Sequence, residues 1–75
     1  MRRSVVFEVE FDGAELKAYR LAAGMGRRRF AKAMNVQPAQ ICRWETNVHC
    51  PSKPNLDRIV ELLGCAPADL YRVIE

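Results

Sequence analysis

No apolar run in this sequence approaches the roughly 20 residues that a helix needs to cross a bilayer. Cysteine is scarce, with three residues, Cys42, Cys50 and Cys65. An odd count at these spacings fits neither a disulfide framework nor a zinc signature, so a reducing compartment is expected. Cys42, His49 and Cys50 lack a fourth protein ligand and any C-x-x-C element, which leaves no metal site and no cofactor to expect. There is one histidine, His49. Without a nucleophile pattern or paired carboxylates around it, it supports no catalytic constellation, so the chain is not expected to be an enzyme. The opening "MRRSVVFEVEF" places basic residues before valines. Glu8 and Glu10 interrupt it and no small-residue cleavage site follows, so a secretory signal is not expected and the location is read as cytoplasmic. Repeats and low-complexity tracts are absent as well.

What is present bounds the answer further. Seventy-five residues allow one domain with a small, well-patterned core. With 49% hydrophobic and 28% charged residues, the composition is that of a globular domain and not of a disordered chain. Twelve Lys and Arg against nine Asp and Glu leave a net charge of +3, which permits a nucleic-acid partner without demanding one. The placement of the charge has to decide.

"SVVFEVEF" alternates, with Val5, Phe7, Val9 and Phe11 on one face, and this two-residue period reads as a half-buried strand. It is the one strand candidate. A lone strand must pair with a second copy of itself, pair with a partner's edge, or lie on the helices. Residues 1–11 are therefore set apart as a strand or arm that serves as a dimerisation element, and residues 12–75 as the helical domain. Asp12, with Glu15 three residues on, forms a D-x-x-E capping box that opens a first helix. Its stripe is Leu16, Tyr19 or Arg20, and Ala23, and it stops at Gly24. A second helix runs from after Gly26 to about Met34, burying Phe30, Ala31 and Met34, and Asn35 can close it in a left-handed conformation.

Pro38 suits the first turn of a third helix, which ends near Thr46 and Asn47. "VHCPSKP" is a loop, and Ser52 caps a fourth helix with the stripe Leu56, Ile59, Val60 and Leu63, ending at Gly64. A fifth helix is expected after "APAD", with Leu70, Tyr71, Val73 and Ile74 available to the core. Helices two and three are joined only by Asn35, Val36 and their caps, the short left-handed connection of a helix-turn-helix. At about 100° per residue, Ile41 and Trp44 share one side of the third helix, and Pro38, Ala39, Cys42 and Arg43 share the other. Gln40 sits at the edge of the apolar side. One feature resists a purely local reading: Arg27, Arg28 and Arg29 crowd the first turn of helix two, where the positive end of the helix dipole disfavours them by a few tenths of a kcal/mol each.

These residues resemble the phage repressor and Cro, or Xre-type, helix-turn-helix DNA-binding family. The resemblance covers roughly Leu16 to Leu70. It rests on "LKAYRLAAGM", "FAKAMNV", "ICRWE", "HCPS" and "LDRIVELLGCAPADL", with segment lengths that fit from Leu16 through Gly64. It implies an all-α, five-helix repressor-like domain with a short N-terminal strand. It implies that Pro38, Ala39, Cys42 and Arg43 face base edges, with Gln37 in reach. Arg27, with Arg28 beside it, would sit on phosphate, and Thr46, Asn47 and His49 would touch the backbone from the following loop. Arg20 and Glu45 match a structural ion pair that joins helix one to helix three in some relatives. Phosphates at the start of helix two would explain the arginines, since charge-assisted bonds of roughly 1.5 to 3 kcal/mol outweigh the dipole cost.

The resemblance departs in three places, one of them Asn47, which stands where glycine is common and can adopt the same left-handed turn. Gly26 replaces the usual Ser or Thr cap, and Pro38 and Ala39 replace polar residues that often read bases, which leaves Arg43 and Gln37 as the main hydrogen-bonding readers and gives DNA shape a larger part. The expected function is double-stranded DNA binding as a transcriptional regulator, a repressor, located at the nucleoid. It would act as a homodimer through residues 4–11, with the third helix in the major groove. The alternative is a protein-binding adaptor or antitoxin-like partner of the same fold that uses the N-terminal strand. RNA binding has less support, because no platform of exposed aromatics is visible. Oxidation of Cys42 on a DNA-facing helix would block docking.

Overall fold

The computed structural model describes residues 8–74. Within them the order is β1 (Val9–Phe11), α1 (Gly13–Ala22), α2 (Arg27–Met34), α3 (Pro38–Glu45), α4 (Lys53–Leu63), a 3₁₀ turn (Pro67–Leu70) and β2 (Tyr71–Val73). Val5, Val6 and Phe7, which the alternation assigned to the strand, lie outside the described residues.

The first four helices have local causes. Asp12 caps α1 by accepting from the Ala14 N–H at 3.1 Å. The expected capping box is not made, because the Asp12 side chain takes the Ala14 N–H and not that of Glu15, and the Asp12 N–H donates to the Leu70 carbonyl at 2.7 Å. Gly24, at φ +71°, takes the left-handed turn after α1. Asn35 (φ 58°, ψ 44°) closes α2, while the N–H groups of Asn35 and Val36 return to the carbonyls of Lys32 and Ala31. Pro38 occupies the first turn of α3, where its missing N–H leaves nothing unsatisfied. Ser52 stands at the start of α4 but its hydroxyl makes no capping bond, and Gly64 ends the helix in the left-handed region.

The chain's end corrects the sequence reading. A fifth helix was expected there, and the segment is instead a single 3₁₀ turn followed by β2. Asp69 Oδ2 accepts from the Ala66 N–H at 2.9 Å and holds the turn, after which Tyr71 goes extended (φ −121°, ψ 154°). β1 and β2 run antiparallel, with Val9 opposite Val73, Glu10 opposite Arg72 and Phe11 opposite Tyr71. The expectation of a single strand candidate is thus overturned. None of the three arrangements expected for β1 describes this pairing, which is with the far end of its own chain. The Ile74 N–H to the Glu8 carbonyl, 2.9 Å, extends the ladder by one bond. Across it the Arg72 Nε lies 2.7 Å from Glu10 Oε1, an exposed cross-strand pair of the kind worth about 0.2–1 kcal/mol.

The core gathers Phe11, Leu16, Phe30, Ala31, Met34, Ile41, Trp44, Ile59 and Leu70. Phe11 is 3% exposed, and its ring meets Tyr71 edge to face with centroids 5.9 Å apart, so residues 9–11 share one core with the helices. Among the described residues the fold is therefore four α-helices around an apolar centre, with a two-stranded ribbon closing one side. Among the described residues no helix is long and apolar enough to cross a membrane.

Candidate nucleic-acid interface

The turn between α2 and α3 fixes where the outer side of α3 can face. Val36 packs half-buried against the core, and Gln37 goes extended (φ −74°, ψ 146°) before α3 begins. Ile41 and Trp44 then point inward, at 0% and 1% exposure. On the other side Gln37, Pro38, Ala39 and Arg43 are exposed, Cys42 is half-buried, and Gln40 is half-buried at the edge. The third helix thus presents the residues of the sequence-derived stripe on an open face, with its tryptophan in the core.

α2 packs against α3 and brings its own N-terminus to the surface. Arg27, Arg28 and Arg29 are all exposed, its first turn holds no acidic residue, and Gly26 offers no side-chain cap. Among the described residues no carboxylate lies within ion-pair distance of these arginines or of Arg43. The first N–H groups of a helix have no partner inside it, so this end offers free donors and uncompensated positive charge together.

The seam between α1 and α3 is built in the opposite way. Arg20 and Glu45 face each other with side chains 4% exposed on both sides, at 2.6 Å from Nε to Oε2. The Arg20 Nη2 donates to Oε1 at 3.2 Å, and Nη1 donates to the Met25 carbonyl at 2.8 Å. A bidentate pair with its third donor on the α1–α2 loop locks α1, the loop and the end of α3 into one geometry.

Next to it, Asn47 sits in the left-handed region (φ 61°) just past α3. Its Oδ1 accepts from the Gly13 N–H at 2.6 Å, and its Nδ2 donates to the Phe11 carbonyl at 2.8 Å. The Asn47 side chain, expected on phosphate, thus commits Oδ1 and one Nδ2 hydrogen to the backbone, and its second Nδ2 hydrogen is left for an outside acceptor. Gly13 is buried here, and a Cβ at that position would run into the carbonyls of Trp44 and Glu45 and lie 2.6 Å from Asn47 Oδ1. Neither Gly13 nor the clamp role of Asn47 was expected from sequence. The one available signal was that an asparagine follows α3 where a left-handed turn is needed.

The remaining loop residues differ among themselves. The Thr46 hydroxyl donates back to the Cys42 carbonyl at 2.8 Å, so it must leave that bond before it can donate to a phosphate. The Arg43 carbonyl accepts from the N–H groups of Val48 and His49 at 2.9 and 3.2 Å, which wraps the loop around the helix end and leaves the His49 side chain exposed. Cys65, on the far side of the domain, has its thiol pushed up by burial and by the Asp69 charge, which makes it a poor nucleophile. Among the described residues no three His, Cys, Asp or Glu side chains come together as metal ligands.

Comparison with known proteins fits this geometry. No curated protein matches the chain. A solved structure, the clp gene regulator ClgR from C. glutamicum, is similar with a TM-score of 0.69 and 29% identity, over 77% of this chain and 75% of that one. A helix-turn-helix family model matches residues 16–70, from the middle of α1 to the end of the 3₁₀ turn. This chain belongs to the helix-turn-helix family, whose members are DNA-binding regulators and not enzymes.

Proposed function

We propose that the chain is a transcriptional repressor that sets α3 in the major groove of duplex DNA. In this reading Gln37, Pro38, Ala39, Cys42 and Arg43 approach base edges, and Arg43 takes a guanine. Arg27 and Arg28 bind phosphates at the start of α2, with His49 and, after release of its internal bond, Thr46 on the following loop. The ClgR likeness, to a gene regulator, supports the regulatory half of the reading. The observation that carries the binding half is the exposed Arg43 on a helix whose opposite side is anchored by Ile41 and Trp44, beside arginines without a counter-ion among the described residues.

Affinity should then come mainly from phosphates, and binding to random duplex should fall steeply with salt. Arg27→Ala should weaken every sequence alike and lower the salt slope by about 0.9, while Arg43→Ala should relax sequence preference. Unchanged duplex affinity in Arg27→Ala would remove the phosphate contact from the reading.

A homodimer on paired half-sites completes the proposal, with the protein at the nucleoid in the cytoplasm. The β1–β2 ribbon supports it: among the described residues each strand pairs on one edge only, and Val9 and Val73 are exposed at 54% and 55%. The same ribbon supports the second reading, an adaptor that receives a partner's strand. Beside it lies an open apolar depression of about 410 Å³ lined by Val9, Pro67, Ala68, Tyr71, Arg72 and Val73. Sedimentation of Val73→Lys against the unaltered chain separates the two. A dimer that dissociates supports the first, and a monomer throughout that still binds a β-strand peptide supports the second. Deleting residues 1–11 is the poorer test, since it removes Phe11 from the core.

A further inference from the structure

The assignment of α3 to the major groove, on which this inference rests, leaves open which bases it prefers. Several polar groups of α3 and its exit already hold internal partners. Gln40 is half-buried at the edge of the apolar side. The Glu45 carboxylate is engaged by Arg20, the Thr46 hydroxyl by the Cys42 carbonyl, and both ends of the Asn47 carboxamide by Gly13 and Phe11. Pro38 has no N–H to offer. On the outer side of α3 the exposed polar side chains are Gln37 before the helix and Arg43 in its last turn. Between them Pro38, Ala39 and Cys42 present carbon and sulfur along about 6 Å of helix, at 1.5 Å per residue.

Such a surface is selective in a major groove. Purine edges and unmodified cytosine present mainly nitrogen and oxygen groups there, with only a bare C–H beside them, and those groups lose water against carbon without gaining a partner. A pyrimidine C5-methyl is the largest apolar group a base pair presents in that groove. We propose that Pro38, Ala39 and Cys42 form an apolar reader of pyrimidine C5-methyl groups, flanked by Arg43 on a neighbouring guanine. The preferred half-site then carries C5-methylated pyrimidine opposite Ala39 and Cys42, supplied by thymine or by 5-methylcytosine.

The test starts from duplexes that the full chain selects from a random pool. In the selected sequence each thymine is replaced by uracil, which removes only the methyl, and in a separate series each cytosine by 5-methylcytosine. At one or more thymines per half-site uracil should weaken binding about fourfold, the equivalent of about 0.8 kcal/mol for one buried methyl. A gain of similar size on methylating a cytosine, with no uracil effect, assigns the reader to 5-methylcytosine instead.

Ala39→Gln, on the exposed side of α3, should abolish the effect at its own position and move the preference there toward adenine. A selected motif that tolerates uracil and ignores 5-methylcytosine at every position overturns the inference, as does duplex binding with no motif at all. In both cases binding that still weakens in Arg27→Ala leaves the DNA-binding reading standing. Failure to bind any duplex at low salt overturns that reading and this inference with it.

Discussion

The seam between α1 and α3 and the outer side of the α2–α3 pair both depend on polar and charged residues, and they use them in opposite ways. At the seam, Arg20 is satisfied by Glu45 and the Met25 carbonyl, and Asn47 by Gly13 and Phe11. On the outer side Arg27, Arg28, Arg29 and Arg43 stand in solvent with no carboxylate partner among the described residues. A buried guanidinium without a partner costs several kcal/mol, whereas an exposed one is solvated and nearly neutral to folding. The seam therefore uses charge to fix where α3 lies. The outer side leaves charge unspent, available to an anion once α3 is in place.

Breaking the seam should have the largest effect. Glu45→Ala leaves Arg20 buried and uncompensated, and should cost about 3–5 kcal/mol of stability, read as a fall in the urea midpoint. Since small domains hold only about 5–15 kcal/mol in total, this variant should be partly unfolded on mild heating. Gly13→Ala comes next. Its methyl must push the ends of α1 and α3 apart, for about 1–3 kcal/mol, in the same measurement.

Asn47→Gly keeps the left-handed turn but removes both side-chain bonds, and should cost about 1–2 kcal/mol. Stability equal to the unaltered chain would mean that those bonds are incidental. Arg27→Ala should have the smallest effect, a change within about 0.5 kcal/mol and in the stabilising direction if anything, because it removes a cation from the positive end of α2. A large loss of stability in Arg27→Ala would erase the contrast between the two regions.

The helix-turn-helix was the most legible part of the chain. The expected span of α2, from after Gly26 to Met34, and the start of α3 at Pro38 agree with the structure, as do the left-handed turn at Asn35 and the inward set Phe30, Ile41 and Trp44. Each of these follows from a signal a few residues long: a 3.6-residue period, a proline at a helix start, an asparagine at a helix end. β2 was illegible for the converse reason. Leu70, Tyr71, Val73 and Ile74 have spacing that suits a helix, and three strand residues carry too little alternation to argue otherwise. What makes them a strand is β1, paired with them in the register Glu10 to Arg72. The same holds for Gly13 and Asn47, whose importance lies in backbone groups that are distant in sequence and adjacent in space.

The sequence by itself determined α1 to α4, the inward sides of α2 and α3, and the row of arginines at the start of α2, because these depend on periodicity and chain stiffness within about one or two helical turns. The α1 stripe was read one residue too far, since Ala23 lies past the helix and is exposed. Only the tertiary structure decided that β1 pairs with β2, that the Asn47 carboxamide clamps the start of α1, and that Glu45 and Thr46 hold internal partners. Those outcomes depend on which donor meets which acceptor across the core, and no local pattern records that meeting.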